Sequence, residues 1–243
     1  DVFASDTARV MAAYGIRSML FDQKVPTPVL AWSITALDAA AGAMVTASHN
    51  PPADNGYKGY LGDGAQIVPP HDSGISERIE AVDPTAVPIA DAGHALIHSV
   101  GEELIAAYVA AIPAVRRRPD VAGVAVAYTP MHGGGGEVLL RAFAAAGLST
   151  PEVVAEQVGP DGTFPTVSFP HPEEPRAMDL LLELARKVDA HVAIANDPDA
   201  DRLGAAIPQP DGSWRRLGGD EIGWLFADYL LSNTSGEDRF VIT

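Results

Sequence analysis

The stretch HVAIANDPDADR, residues 191–202, joins a short apolar segment to three carboxylates at alternate positions. The apolar residues predict a buried β-strand, and Asp197, Asp199 and Asp201 follow where that strand ends. In an extended or looping backbone alternate side chains share a face, so three such carboxylates can converge on one hard cation. Arg202 ends the stretch with a guanidinium group suited to gripping a phosphate. The sequence therefore predicts a metal site at the end of this strand.

Two other interpretations of the acidic stretch were weighed. An EF-hand loop also begins with ligands at alternate positions, but Arg202 stands at its invariant glycine and Pro208 at its bidentate glutamate. A solvated acidic loop needs no ligand at all, yet here an apolar strand precedes the carboxylates and a cation ends them. Mg²⁺, which prefers oxygen ligands, is the expected occupant.

A serine and a histidine stand side by side in Thr46-Ala-Ser-His-Asn-Pro51, just after a predicted strand at residues 43–45. The prolines end the strand, so Ser48 is expected on a turn at the edge of a sheet, where α/β proteins place their chemistry. Ser48 is the candidate nucleophile, with His49 beside it. Turn chemistry alone would also explain a Ser-His pair.

A second turn-rich stretch, Asp54-Asn-Gly-Tyr-Lys-Gly-Tyr60, has glycines that would let the backbone approach a ligand closely. A hairpin-like return here would carry the ammonium group of Lys58 back toward Ser48. There it could hold a phosphate or shuttle a proton. A solvated surface lysine is the alternative.

Composition narrows the classes of protein. The chain has 243 residues, 47% of them hydrophobic, which suits one large or two ordinary globular domains. We expect no bilayer-spanning stretch and no secretory leader, and the absence of cysteine excludes disulfides and fits a reducing compartment. A net charge of −16 with only three lysines disfavours nucleic acid as a partner. A small anionic substrate would depend on a few local cations, a metal and backbone N–H groups.

Alternating apolar patterns predict mixed and parallel α/β layers in tandem domains. The predicted helices cover residues 2–14, 26–40, 75–80, 102–111, 137–146 and 176–188. Gly15 and Gly147 are expected to cap the first and fifth of them, and the last has an apolar face that includes Leu181 and Ala185. The predicted strands cover residues 16–21, 43–45, 121–128 and 191–195. The first two strands and the helix between them are expected to form a parallel layer. Residues 69–98 and 155–175 are otherwise expected to be irregular.

Four glycines at 133–136 lie between a predicted strand and a predicted helix. They complete neither G-x-G-x-x-G nor a P-loop, so a close-packed turn is expected, with His132 solvated within it. No Gly-x-Ser-x-Gly elbow surrounds Ser48, which argues against an acyl hydrolase of that design. Carboxylates for a metal, a serine, a lysine and an arginine instead suit phosphoryl transfer.

Two motifs are highly specific: Thr46-Ala-Ser-His-Asn-Pro51 with Gly56-Tyr-Lys-Gly59, and Asp197-Pro-Asp-Ala-Asp-Arg202. They resemble the α-D-phosphohexomutase superfamily of phosphoglucomutases and phosphomannomutases, and the resemblance runs from end to end. Four further stretches resemble the branch that includes phosphopentomutases and glucose 1,6-bisphosphate synthases. They are Tyr128-Thr-Pro-Met-His-Gly133, Phe164-Pro-Thr-Val167, Pro172-Glu-Glu-Pro175 and Gly218-Gly-Asp-Glu-Ile-Gly223. One departure is His171, where that branch tends to carry asparagine.

The resemblance implies a phosphoserine mechanism. Ser48 would donate its phosphoryl group to a sugar monophosphate, and the resulting bisphosphate would return its other phosphoryl group to Ser48. Asp197, Asp199 and Asp201, with a phosphate oxygen on Ser48, would bind Mg²⁺. The expected reaction interconverts hexose 1-phosphate and hexose 6-phosphate, glucose being the first choice, and mannose or pentose phosphates are the alternatives.

Other residues take supporting roles by the same resemblance. Lys58 is the leading general acid or base, His49 supports the phosphoserine loop, and Arg202, Lys58 and Asn50 contact substrate. The partners would be small sugar phosphates, with a glucose 1,6-bisphosphate-type activator, in the cytoplasm and without a membrane or nucleic acid.

The resemblance also implies a domain division. Residues 1–98 would be domain I without its opening strand, 99–208 domain II with the metal loop, and 209–243 the start of domain III, so the chain is expected to be truncated at both ends and to lack domain IV. Two rivals were considered: a haloacid-dehalogenase-type phosphatase with Asp197 as nucleophile, and a non-catalytic module. The phosphohexomutase interpretation requires Ser48 and the carboxylates, about 150 residues apart, to meet around one ion.

Overall fold

The computed structural model describes residues 2–48, 50–51, 53–174 and 176–236. The chain divides into two compact units: Asp1–Ala47 with Ala53–Tyr108, and Ser48–Pro52 with Val109–Thr243. The turn that carries Ser48 therefore groups with the second unit, although the segments on either side of it group with the first. Within the described ranges, none of the helices combines the length and the apolar character that a membrane span requires.

The first unit contains two small sheets. Its helices are α1 Val2–Ala13, α2 Thr27–Ala36 and α3 His71–Glu80. Its strands are β1 Ser18–Phe21, β2 Ala41–Val45, β3 Tyr57–Leu61 and β4 Ile97–Val100. β1 pairs in parallel with β4, whereas β2 pairs antiparallel with β3. A mixed α/β fold is thus confirmed.

The predicted parallel layer of β1, α2 and β2 is wrong in its pairing, because β1 and β2 lie in different sheets. The predicted hairpin after β2 is confirmed, with Met44 opposite Lys58. β4 lies partly in the stretch that was expected to be irregular, and its four residues, Ile97 to Val100, show no extended apolar pattern that would have revealed it.

The ends of the first two helices have a backbone cause. α1 ends at Ala13, one residue before the predicted end, and Gly15 follows as the expected cap with a φ of 78° that only glycine adopts freely. α2 ends at Ala36 rather than residue 40, because Asp38 takes a left-handed φ of 49° that an α-helix cannot continue.

The second unit is built on one five-stranded sheet. Its strands are β5 Val126–Thr129, β6 Glu152–Val153, β7 Val192–Asn196, β8 Leu203–Pro208 and β9 Trp214–Leu217. They are ordered β6-β5-β7-β8-β9, with β6, β5 and β7 parallel and the last two antiparallel. The chain enters this unit within α4 Glu102–Ala111, which has the predicted bounds, and the later helices are α5 Gly136–Ala145, α6 Asp179–Lys187 and α7 Gly219–Asn233.

α6 supplies much of the core of the second unit. Its predicted apolar face is confirmed, since Leu181 and Ala185 are fully buried against strand alanines such as Ala127 and Ala193. Burying a leucine side chain in this way contributes about 2 kcal/mol. The helix begins at Asp179 rather than at residue 176, because the left-handed φ of 69° at Arg176 excludes a helical turn there.

The parallel pairing of β5 and β7 positions the site. Thr129, the last residue of β5, pairs with Ala195 near the end of β7. Because the carboxyl ends of parallel strands meet at one edge of a sheet, the turn after β5 and the acidic loop after β7 lie side by side.

Candidate active site

The acidic loop between β7 and β8, here called the carboxylate loop, spans residues 196–202 and is closed by its own ends. Asn196 Nδ2 donates to the Arg202 carbonyl at 2.8 Å, and the Ala200 N–H donates to the Asp197 carbonyl at 2.9 Å. Tyr128 in β5 donates its hydroxyl to Asn196 Oδ1 at 3.1 Å, and burial raises the pKa of that hydroxyl, so it remains a donor. None of these three bonds uses a carboxylate oxygen.

The glycine run packs directly on the carboxylate loop. The Gly134 N–H donates to the Pro198 carbonyl at 2.9 Å, and a Cβ at Gly133 would lie 2.3 Å from that same oxygen. A Cβ at Gly135 would lie 2.7 Å from the Cβ of Ala200. The predicted close-packed turn is therefore confirmed, and the loop it packs against is the one with the three aspartates.

The three aspartates form one cluster. Asp197 and Asp199 are buried, with 0% and 3% of their surface exposed, whereas Asp201 is exposed. One oxygen from each lies within 4.8 Å of the others. Arg202 N–H donates to Asp197 Oδ1 at 2.9 Å. Burial, the charge of Asp199 and a hydrogen bond with Asp199 raise the pKa of Asp197 to about 7.

Ser48 meets this cluster through its hydroxyl oxygen. The residue is 6% exposed and lies in a turn with a left-handed φ of 50°. Its Oγ lies 2.9 Å from Asp197 Oδ2 and 2.9 Å from Asp199 Oδ1. One hydroxyl proton can be donated to only one of these carboxylates at a time, so the second contact between two acceptor oxygens calls for a further proton or a cation.

The donor set fits Mg²⁺. Oxygens bound to one octahedral Mg²⁺ at about 2.05 Å lie about 2.9 Å apart when adjacent and about 4.1 Å apart when opposite. Both separations from Ser48 Oγ, at 2.9 Å, match the spacing of adjacent ligands, and the three aspartates each bring one oxygen within 4.8 Å of the others. Two buried carboxylates so close together also require either a shared proton or a counter-charge, because each isolated charge is costly to bury.

The structure locates the other predicted site residues as follows. His49 lies outside the described residues. Asn50 is half-buried in the serine turn, and Lys58 is half-buried in β3. The side chain of Arg202 is exposed, and its Nη1 lies 2.8 Å from Nε2 of His171.

The glycines near Lys58 serve the chain itself rather than a ligand. A Cβ at Gly56 would lie 2.2 Å from the carbonyl oxygen of Thr46, and the Thr46 N–H donates to the Gly56 carbonyl at 3.0 Å. At Gly59 a Cβ would lie 2.6 Å from the side chain of Ile67. The expectation that these glycines admit a ligand is replaced by close packing within the hairpin.

Sequence reasoning missed a polar network behind the glycine run. His132, expected in solvent, is 5% exposed, and its Nε2 lies 2.8 Å from Thr166 Oγ1. Gln157, fully buried, accepts from Thr129 Oγ1 at 2.6 Å and donates to Thr166 Oγ1 at 2.8 Å. The family-like stretches at residues 128–133 and 164–167 include Thr129, His132 and Thr166, whereas no pattern in the sequence marked Gln157.

Fold and site together define a class: a mixed α/β protein whose buried serine hydroxyl faces an aspartate cluster of the kind that binds Mg²⁺. Comparison with known proteins makes the assignment specific. The family models for phosphoglucomutase/phosphomannomutase, alpha/beta/alpha domains I and II, match residues 1–86 and 106–212, which together are most of the chain. The chain belongs to the phosphoglucomutase/phosphomannomutase family within the phosphohexomutase superfamily. This membership favours the phosphohexomutase interpretation over the haloacid-dehalogenase alternative.

Individual relatives are similar across nearly all of this chain. A Haemophilus influenzae protein named "Probable phosphomannomutase" is 47% identical over 98% of this chain and 49% of its own length. Human phosphopentomutase is 39% identical over 95% of this chain and 40% of its own, and glucose 1,6-bisphosphate synthases are also among the relatives. A solved phosphoglucomutase/phosphomannomutase family protein from Burkholderia thailandensis superposes with a TM-score of 0.64 at 27% identity, covering 86% of this chain and 43% of that one. The chain thus spans about half the length of the curated relatives it matches, or less.

Proposed function

We propose that Ser48 is the phosphoryl carrier of a sugar-phosphate mutase. The observation that supports this most directly is the position of Ser48 Oγ, 2.9 Å from oxygens of both Asp197 and Asp199. A hydroxyl placed against buried carboxylates suits a phosphoserine whose charge is balanced by a shared cation.

The proposed reaction proceeds by two phosphoryl transfers. A sugar hydroxyl attacks the phosphorus on Ser48 and loses its proton to a base as the new bond to the sugar oxygen forms. The bond to Ser48 Oγ breaks, and that oxygen takes up a proton to become the serine hydroxyl. The bisphosphate then turns over and returns its other phosphoryl group to Ser48, so the sugar leaves as the isomeric monophosphate. We assign Lys58 as the proton carrier because of its place in the hairpin that follows the serine turn.

The metal is proposed to be Mg²⁺, held by Asp197, Asp199, Asp201 and an oxygen of the Ser48 phosphate. When bound it neutralises charge on the group being transferred. The Arg202 N–H fixes one oxygen of Asp197 and leaves the other facing Ser48. This division of roles orients the carboxylate before any ligand arrives.

Substrate binding is assigned to Arg202, Lys58 and Asn50, with His49 supporting the serine turn. The Arg202 guanidinium is exposed beside His171. The Nδ1 of His171 accepts the Glu173 N–H at 3.1 Å, and a neutral imidazole has only one acceptor nitrogen, so this contact competes with that of Arg202. The contact between Arg202 and His171 is therefore weak, and the guanidinium group can rotate toward a phosphate.

We propose glucose 1-phosphate and glucose 6-phosphate as the substrates, with mannose and pentose phosphates as the competing pairs, a glucose 1,6-bisphosphate-type activator, and the cytoplasm as the compartment. Residues 1–98, 99–208 and 209–243 are proposed as domain I, domain II and the start of domain III. The ranges matched by the two family models support the first two assignments.

Phosphorylation of Ser48 tests the proposal. The protein is incubated with glucose 1,6-bisphosphate and Mg²⁺, and the modified residue is located by peptide mass spectrometry. The expected result is one phosphate on Ser48 that survives hydroxylamine, which cleaves acyl phosphates. A hydroxylamine-labile phosphate on Asp197, or no phosphate at all, would refute the proposal. Coupled assays with glucose, mannose and ribose 1-phosphates then determine the preferred sugar.

A further inference from the structure

A polar network joins three segments behind the carboxylate loop. Thr129 at the end of β5 donates its hydroxyl to Gln157 Oε1, and Gln157 Nε2 donates to Thr166 Oγ1. The Thr166 hydroxyl proton is then available to His132 Nε2, 2.8 Å away. Thr129, Gln157 and His132 are all buried, at 0%, 0% and 5% exposure.

This network fixes an unusual turn. Met131 and His132 have left-handed φ angles of 47° and 60°, which few residues other than glycine adopt. The Met131 N–H donates to Thr129 Oγ1 at 3.0 Å, and the His132 N–H donates to the Gln157 carbonyl at 3.0 Å. The network therefore bonds to the backbone of both strained residues.

The turn at Met131 and His132 leads into glycines that support the carboxylate loop. Gly133 and Gly134, the next two residues, close on Pro198 with a backbone hydrogen bond of 2.9 Å and no room for a Cβ at Gly133. Pro198 stands between Asp197 and Asp199 in the chain. A shift of the turn by a fraction of an ångström would thus move the two buried carboxylates with it.

We propose that Thr129, Gln157 and His132 are positioning residues that set the spacing of Asp197 and Asp199 for a divalent cation. They touch neither carboxylate and act through the turn and Pro198. The inference rests on the proposed metal site, and it gives a use to the two family-like stretches that the reaction itself leaves without a role.

The test is Mn²⁺ affinity, measured by electron paramagnetic resonance on the protein in the absence of sugar phosphate. Thr129→Val keeps the side-chain shape but removes the acceptor for Met131 and the donor for Gln157. It is expected to weaken Mn²⁺ binding about tenfold, the low end of effects seen for residues behind metal ligands. Thr129→Ser retains the hydroxyl and is expected to restore the affinity to within about twofold of the native value.

The matched control is Thr27→Val, which removes a threonine hydroxyl that is 4% exposed in the first unit. It is expected to lower thermal stability without changing Mn²⁺ affinity. Should Thr129→Val prove unable to fold, His132→Asn serves instead, because asparagine tolerates the left-handed backbone but is too short to reach Thr166. A loss of about threefold is expected there.

The outcomes separate the two proposals. Native protein that does not bind Mn²⁺ would remove the metal site and the positioning role together. Native binding with unchanged affinity in a folded Thr129→Val or His132→Asn protein would overturn the positioning role alone. Equal losses in Thr129→Val and Thr27→Val would also overturn it, because the effect would then follow general stability.

Discussion

The carboxylate loop and the serine turn both follow a strand, and both contain a left-handed residue, Ala200 or Ser48. They differ in how they are held. The carboxylate loop is fixed mainly by bonds of Asn196, the Pro198 carbonyl and the Tyr128 hydroxyl, to which the Arg202 N–H adds a bond to Asp197 Oδ1. The serine turn meets the carboxylate loop through the proposed reacting atom itself, Ser48 Oγ. The carboxylate loop is therefore preorganised by surrounding groups, whereas the serine turn is held by the atom that is proposed to react. Mutations should distinguish these two kinds of support.

The largest expected effect comes from removing Ser48 Oγ, the atom through which the serine turn contacts the carboxylate loop. Ser48→Ala should reduce mutase turnover by at least about 10⁴-fold, because no other group carries the phosphoryl between the two transfers. The measurement is a coupled assay with glucose 1-phosphate and bisphosphate activator. Ser33→Ala is the matched control, since its buried hydroxyl donates only within α2, to the Val29 carbonyl at 2.7 Å. Turnover within about tenfold of native in Ser48→Ala would contradict the carrier role.

The next-largest effect is expected from substitutions in the aspartate cluster that leave the rest of the carboxylate loop unchanged. Asp199→Asn should lower both the rate and the apparent Mg²⁺ affinity by about 100-fold, because it removes a ligand charge from the buried pair. Asp201→Asn, at the exposed member of the cluster, should do the same to a smaller degree. Titrating the rate with Mg²⁺ distinguishes them. Unchanged kinetics in Asp199→Asn would remove the metal role.

A third substitution disturbs the scaffold and leaves the carboxylates in place. In Gly133→Ala the new Cβ would lie within 2.4 Å of the Cα and carbonyl oxygen of Pro198, and backbone cannot yield as a side chain can. We expect a loss of about 2 kcal/mol in the free energy of unfolding, together with weaker Mn²⁺ binding. Gly134→Ala is the control, because a Cβ there meets nothing within 4 Å. Denaturant unfolding of the pair should separate them; equal stability would mean that the close fit on Pro198 does not matter.

The smallest effect separates the two roles of Arg202. Its backbone N–H belongs to the carboxylate loop, whereas its exposed guanidinium is assigned to the substrate phosphate. Arg202→Met keeps the N–H and the aliphatic stem, so KM for the sugar phosphate should rise about tenfold while Mn²⁺ affinity stays the same. A changed Mn²⁺ affinity with unchanged KM would reverse this assignment.

Much of the fold and the centre of the site could be predicted from sequence. α4 has the predicted bounds, and the stop signals at Gly15 and Gly147 work as glycine caps with φ angles of 78° and 68°. The carboxylates after β7 were identifiable because an apolar strand and alternating acids are both local patterns. The structure also places Ser48 against them, although only the resemblance joined two segments so far apart.

What could not be predicted depends on contacts between distant segments. The parallel pairing of β1 with β4, and the placement of β1 and β2 in different sheets, are not encoded in the periodicity of any one strand. The late start of α6 follows from the backbone of Arg176, an ordinary helix former by propensity. The burial of His132 and Gln157 was missed because apolar periodicity gives no signal for buried polar side chains that hydrogen-bond to one another.

Ser48 and Asp197 are separated by 149 residues along the chain. At a translation rate of about 5–20 residues per second, the serine is incorporated about 7–30 s before Asp197. A nascent chain therefore carries an inert hydroxyl throughout that interval. On the proposed mechanism, phosphorylation of Ser48 can therefore begin only after β7 has been made and placed in its sheet.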